Sequence, residues 1–317
     1  MNTHDTSRRE FVQHASTLLA GAALAGLPAR AAPAPATPGG RIALGELRVA
    51  RMGFGAMRIT GAGIWGELAD AASARALLRR ALELGVDFID TADSYGPAVS
   101  ERLIAEALHP YPAGLVIATK GGLVRPGPDQ WAQDARPERL RAACEASLKR
   151  LKLERIDLYQ LHSPDANVPY ADSVGELARL QQAGKIRHIG VSNVDVAQLA
   201  QARTIVEVVS VQNRYNVATR QSDPVLEACE QHGIAFIPWG PLAQRQRAAE
   251  QPDPRVAALR AIAGERGITE SQATLAWLLA RSQAMLPIPG TSRIVHLEEN
   301  VAAAAIRLSD AEMTRVG

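Results

Sequence analysis

The 317-residue chain has only two cysteines, Cys144 and Cys229. That is too few for a disulfide framework, and neither has a second cysteine at metal-ligand spacing. No apolar run approaches the about 18–20 residues of a membrane span, which excludes a polytopic membrane protein. Neither charge dominates: 35 basic and 33 acidic residues are spread along the chain, without the basic block of a nucleic-acid footprint. A Walker loop, a Ser-His-Asp order and a His/Cys/Asp/Glu ligand cluster are missing as well, so neither metal nor nucleic acid is expected. What is present is ordinary globular composition, 47% hydrophobic and 21% charged with 25 Gly and 19 Pro. Length alone then permits one large α/β domain or two smaller ones.

Residues 1–31 read as an address rather than as fold. Ser7-Arg8-Arg9-Glu10-Phe11-Val12 precedes a short apolar stretch from Leu18 to Leu27, then Pro28 and the small-residue site Ala29-Arg30-Ala31. The ordered triple resembles a twin-arginine export signal, and its apolar part is too short to anchor the chain in a bilayer. It predicts export to the periplasm by the twin-arginine machinery, with 32–40 as an Ala/Pro-rich spacer and 41–317 as the folded domain.

After a hairpin expected over Arg41–Val49, short apolar runs alternate with helical patterns. Candidate strands are Met52–Met57, Asp87–Thr91, Leu115–Thr119, Ile156–His162, His188–Ser192, Val208–Gln212, Ala235–Trp239 and Met285–Ile288. They are mostly apolar without strict alternation, as befits strands buried on both faces. Between them, Leu77, Leu78, Ala81 and Leu82 share a helical face stopped by Gly85. Asp223-Pro224 opens a helix that Gly233 closes. Ser173-x-x-Glu176 and Thr269-x-x-Gln272 read as capping boxes. Eight strand–helix units fit a single-domain (β/α)8 TIM barrel with an N-terminal hairpin, which needs roughly 250 residues. The competitor is an open Rossmann-type sheet, since Gly61-Ala62-Gly63-Ile64-Trp65-Gly66 spells G-x-G-x-x-G. A dinucleotide turn needs its helix to start within the glycines, and here Glu67-Leu68-Ala69-Asp70 intervenes. A flexible loop at the barrel mouth is the expectation.

A barrel carries its chemistry just past the C-terminal strand ends. Those positions hold Asp90 and Tyr95, Lys120, His162, Ser192-Asn193, Gln212-Asn213, Trp239-Gly240 and Gly290-Thr291-Ser292. Each has a bland structural explanation alone; their convergence on one rim is what points to chemistry. A tyrosine hydroxyl keeps its proton at neutral pH. A lysine held by Asp90 would lower the Tyr95 pKa, and a neutral His162 would orient a substrate oxygen toward Tyr95. The set suits protonation of a carbonyl oxygen as its carbon receives hydride.

Phe88-Ile89-Asp90-Thr91-Ala92-Asp93-Ser94-Tyr95-Gly96, Ala118-Thr119-Lys120, Asp157-Leu158-Tyr159-Gln160-Leu161-His162, Gly190-Val191-Ser192-Asn193 and Ile288-Pro289-Gly290 together resemble the aldo-keto reductase family, in order from about Gly45 to Ala304. The resemblance implies a (β/α)8 barrel that reduces aldehydes and ketones with NADP(H), less often NAD(H). It implies a catalytic tetrad of Asp90, Tyr95, Lys120 and His162, with Tyr95 as proton donor. It also implies cofactor contacts from Ser192, Asn193 and Gln212 to the carboxamide and from Trp239 to the nicotinamide ring. Further cofactor contacts are implied for Gly240, Leu242, Gly290, Thr291, Ser292, Arg293, Glu299 and Asn300. Basic residues expected for the 2′-phosphate are partly missing, Arg293 being the firm one. The Thr60–Gly66 and Tyr95-Gly96-Pro97 loops resemble the branch with bacterial pyridoxal reductases (pyridoxine 4-dehydrogenases). A second implied role, also found in the family, is a non-catalytic NADP(H)-binding regulatory subunit; the intact tetrad favours a small-molecule carbonyl substrate instead.

Overall fold

The computed structural model describes residues 39–242 and 253–317. The expected export signal and nearly all of the expected spacer lie outside the described residues. A hairpin of β1 (Arg41–Leu44) and β2 (Leu47–Ala50) precedes a parallel sheet. The sheet strands are β3 (Phe54–Gly55), β4 (Phe88–Asp90), β5 (Val116–Gly121), β8 (Ile156–Leu161), β9 (Ile186–Ser192), β10 (Val208–Gln212) and β11 (Ala235–Phe236), each paired to the next in that order. A short antiparallel ribbon, β6 (Leu123–Val124) with β7 (Ala132–Gln133), is inserted after β5.

The expected eighth strand is present but makes only an isolated bridge between Phe236 and Met285. Phe236 N donates to Ala284 O (2.7 Å), Leu286 N to Phe236 O (2.9 Å) and, on the other side, Gly53 N to Pro287 O (2.9 Å). These bonds close the sheet into the barrel. Regular pairing fails there because Pro287 and Pro289 have no N–H to give.

Successive strand residues point to opposite faces, and the barrel sorts them accordingly. Phe88, Val116, Ala118, Leu158, Ala235, Ile237, Leu286 and Ile288 fill the interior, with Ile42, Leu44 and Val49 of the hairpin in the same cluster. Ile89 and Ile117 face outward onto α1 (Ala71–Glu83) and α2 (Val99–Leu108). Continuing the same alternation, Asp90, Lys120, Gln160 and His162 follow inward-facing residues at a spacing of two. The hairpin is held by Asp87, whose Oδ1 accepts from Ala50 N (2.8 Å) and Oδ2 from Arg41 (2.6 Å).

The outer helices follow their local signals, with one exception. The α1 face of Leu77, Leu78 and Ala81 is buried, Leu82 is half-buried, and Gly85 follows at φ 84°. The helix α6 (Asp223–His232) carries Pro224 in its first turn and is stopped by Gly233 at φ 66°; it follows α3 (Pro137–Leu151), α4 (Tyr170–Gln182) and α5 (Val196–Arg203). Beyond β11 lie α7 (Pro254–Arg266), α8 (Glu270–Arg281), α9 (Ile294–Ala302) and α10 (Asp310–Val316). Thr269 and Gln272 form the expected capping box at α8. Ser173 and Glu176 do not: α4 starts three residues earlier, after Pro169. The Ser173 hydroxyl instead donates to Ala135 O (2.7 Å), and buried Glu176 accepts from Arg141 (2.8 and 3.0 Å) and Arg179 (3.0 Å). Those tertiary partners take both side chains away from a cap.

Candidate active site

At the C-terminal end of the barrel, Lys120 is fully buried and its Nζ donates to Asp90 Oδ1 (2.6 Å) and Thr91 O (2.8 Å). The same ammonium lies 3.5 Å from the Tyr95 hydroxyl. The other Asp90 oxygen accepts from Gln160 (3.1 Å) and Gln212 (2.8 Å), and Ser210 donates to the Gln160 amide oxygen (3.3 Å). A buried carboxylate–ammonium pair is tolerable only with its remaining lone pairs and protons satisfied, and here they are. Gln160 lies two residues before His162, on the inward face; the strand alternation could have found it.

The electrostatics differ from the sequence-based expectation in one respect. Burial raises the Tyr95 pKa above the usual phenol range, Lys120 pulls it down, and Asp90 pushes it up again; the net direction is upward. The lysine thus limits a rise and does not produce a net lowering, because Asp90 offsets much of its charge and the phenol is desolvated. For Lys120 itself, burial acts downward, but Asp90 and Tyr95 outweigh it and the pKa rises, so the ammonium is retained. Burial, together with the Lys120 charge, drives His162 well below the usual histidine value, so it is neutral as expected. His162 Nδ1 lies 3.4 Å from Ser94 Oγ, leaving its other ring nitrogen for a substrate oxygen.

The remaining expected residues ring the same mouth. Buried Ser192 ends β9, and Asn193 follows at φ 58°. Asn193 Nδ2 donates to His162 O (2.9 Å), and its Oδ1 accepts from Trp239 Nε1 (3.0 Å). Both ends of this amide therefore serve to fix the Trp239 ring, which stays 38% exposed and offers an open aromatic face. Gly240 sits at φ 63°, its carbonyl accepting from Asn216 (2.8 Å). Leu242 is half-buried and packs against the main hydrophobic core. After the eighth strand, Gly290 approaches Gly55 so closely that a Cβ would stand 2.7 Å from the Gly55 carbonyl. Thr291 is buried and accepts from Arg293 N (3.0 Å); Ser292 and Arg293 are exposed. Glu299 and Asn300 lie in the last turns of α9, half-buried and buried respectively.

The mouth also contains residues the sequence pattern did not single out. The Trp131 ring lies edge-on to Tyr95 and to His162, 6.4 Å from each ring centre. Arg125 stacks on Trp131 at 3.8 Å. The G-x-G-x-x-G segment is a pinned loop, contrary to the flexible one expected. Gly61 N donates to Gly66 O (2.9 Å), Gly66 N to Gly96 O (2.7 Å), and Arg125 bonds the Gly63 and Ile64 carbonyls. No α-helix starts within it, since α1 begins only at Ala71. It is not a dinucleotide turn.

The sequence profile of the aldo/keto reductase family matches residues 51–317. The chain belongs to the aldo/keto reductase family. This aldo/keto reductase is 50% identical over 274 residues to an uncharacterized oxidoreductase of Schizosaccharomyces pombe, covering 86% of this chain and 88% of the relative. It is 41% identical to pyridoxine 4-dehydrogenase of Escherichia coli, covering 84% and 93%. Among solved structures it resembles an aldo/keto reductase from Klebsiella pneumoniae in complex with NADP and acetate. The TM-score there is 0.73 at 29% identity, over 87% of this chain and 93% of that one. As a member of this family the chain is an NAD(P)-dependent oxidoreductase with a (β/α)8 barrel.

The mouth fits a nicotinamide dinucleotide. Trp239 offers a fixed, half-open aromatic face for a flat ring. Gln212, with its nitrogen spent on Asp90, keeps an amide oxygen, and Ser192 a hydroxyl. Arg58 and Arg293, at the ends of the first and eighth strands, have no ion-pair partner among the described residues. Arg58 lies against Gly290 and Arg293 follows Thr291 by two residues, cations that the phosphates of a bound dinucleotide would need.

Proposed function

We propose that this aldo/keto reductase reduces a flat aromatic aldehyde to its alcohol with NADP(H). The carrying observation is Trp131, placed edge-on to both Tyr95 and His162 directly over the tetrad, a wall suited to a planar ring. The 41% identical relative, named for a dehydrogenase acting on pyridoxine, supports the same substrate class. NADPH supplies the hydride when bound, held by Trp239, Ser192, Gln212, Arg58 and Arg293. Tyr95 gives its proton to the carbonyl oxygen. Lys120, 3.5 Å from that hydroxyl, stabilises the phenolate left behind, and Asp90 holds Lys120 in place. Neutral His162 donates a hydrogen bond that orients the carbonyl oxygen. The complete, fully buried Asp90–Lys120 pair beside Tyr95 favours this over a regulatory nucleotide-binding role.

The test follows NADPH oxidation with pyridine-4-carbaldehyde and with propanal. A kcat/KM at least about tenfold higher for the aromatic aldehyde is expected. Equal values would remove the aromatic assignment, and no turnover of either would remove carbonyl reduction. Export through the twin-arginine pathway is part of the proposal, supported by Ser7-Arg8-Arg9-Glu10-Phe11-Val12 and Ala29-Arg30-Ala31. Exchanging Arg8 and Arg9 for Lys keeps both charges but not the guanidinium fork. Cell fractionation should then find active enzyme in the cytoplasm; undiminished export would refute the assignment.

A further inference from the structure

We propose that Arg125 is a positioning residue, which ties three loops of the barrel mouth together and holds Trp131 as one wall of a substrate slot. The proposal rests on the aromatic-aldehyde function above. Arg125 leaves the end of β6 and is 9% exposed. Its Nε donates to Gln130 O (2.7 Å), its Nη1 to Ile64 O (2.7 Å) and Ser94 O (3.3 Å), and its Nη2 to Gly63 O (2.7 Å) and Gly127 O (3.4 Å). Five donor contacts thus end on main-chain carbonyls of three separate loops. One of the acceptors belongs to Ser94, the neighbour of Tyr95.

No carboxylate is paired with Arg125 among the described residues; Asp129 acts on it only through space, against the lowering effect of burial. A buried cation without an ion pair is costly unless dipoles converge on it, and here the carbonyls do. Two further features belong to the same knot. Ile64, a β-branched residue, is held at φ 53°, a backbone conformation that persists only where its surroundings over-determine it; its carbonyl is one of the Arg125 acceptors. The guanidinium carbon Cζ lies 3.8 Å from the Trp131 ring centre, a cation–π contact that backs the face of a ring otherwise 40% exposed. Lysine offers three donors from one point and cannot span these carbonyls. Arg125 therefore acts on the substrate through Trp131, on how a planar carbonyl compound is seated rather than on the chemical step.

The test compares wild type with Arg125→Lys and Arg125→Met. It uses steady-state kinetics on pyridine-4-carbaldehyde and propanal, and acrylamide quenching of Trp131, isolated by subtracting a Trp131→Phe background. Both variants should raise KM for the aromatic aldehyde about tenfold or more, leave its kcat within about threefold, and move the propanal KM far less. Quenching of Trp131 should increase. Unchanged quenching, or equal losses of kcat/KM on the two aldehydes, would overturn the proposal. Should Arg125→Met fail to fold, Trp131→Leu must reproduce the same KM split. If the wild type shows no aromatic preference, the substrate assignment falls, and the quenching result alone decides the role of Arg125.

Discussion

Replacing Tyr95 by Phe removes one hydroxyl from a ring that otherwise keeps its packing against Trp131 and His162. Aldehyde reduction should fall by about 10²–10⁴-fold while NADPH affinity, measured by fluorescence titration, stays within a few fold. Lys120→Met tests the charge behind it. Since Lys120 is the group that pulls the Tyr95 pKa down against burial, its loss should move the alkaline limb of the pH–rate profile upward and lower kcat. An unchanged profile at full activity would make Lys120 a bystander. Asp93 offers a separate measurement. One of its oxygens is buried without a partner, the other is 3.5 Å from Arg139, and burial with the Glu101 charge raises its pKa to about 7. A folded-state pKa above the unfolded ~3.9 means that the folded chain holds a proton the unfolded chain has lost. Stability therefore falls as pH rises from about 4 to about 7. Asp93→Asn abolishes that dependence and should exceed wild type at pH 8 by up to ~4 kcal/mol, at 1.36 kcal/mol per unit. The difference should vanish toward pH 4 in urea titrations.

Helices and strands show which local signals carry and which do not. The two-residue alternation that puts Phe88, Ala118 and Leu158 inside also delivers Asp90, Lys120 and Gln160 to one face; the tetrad itself was legible from its places at the strand ends and from the family-like motifs around it. The pattern [ST]-x-x-[EQ] carries less, because it does not state where the helix begins. At Thr269 it caps, with the hydroxyl accepting from Gln272 N (3.1 Å), whereas at Ser173 it is overridden by Ala135 and two arginines. Thr269→Ala should cost about 1 kcal/mol and leave activity untouched. Ser173→Ala should also destabilise, through a lost buried bond to α3's leading loop rather than through a frayed α4; helix-specific hydrogen exchange separates the two. Arg125 and Trp131 were not legible: Arg125 reaches the Ile64 carbonyl 61 residues back, Trp131 meets Tyr95 and His162 from another loop, and such loop-to-loop contacts leave no periodic trace.

For the whole molecule, the family profile and the closed barrel agree with the eight strand–helix units expected from the sequence. The eighth is the weakest of them: its prolines prevent a regular ladder and leave it an isolated bridge. The strand ladder β5–β8–β9 is regularly paired, while the eighth strand is tied to the seventh through the Phe236 and Leu286 amides and, at the join between the last and first units, through the Gly53 amide. A ring closed mostly by strong links and once by a weak one behaves as a band with a clasp. Deuterium should enter the clasp first: the Gly53 and Leu286 amides should exchange well before those of Ile189 and Val191, at free energies below that of global unfolding. Bound NADPH, gripping residues from both sides of that join, should slow the clasp amides more than any in the β5–β8–β9 ladder. The coenzyme would then serve the barrel as a fastener as well as a reductant.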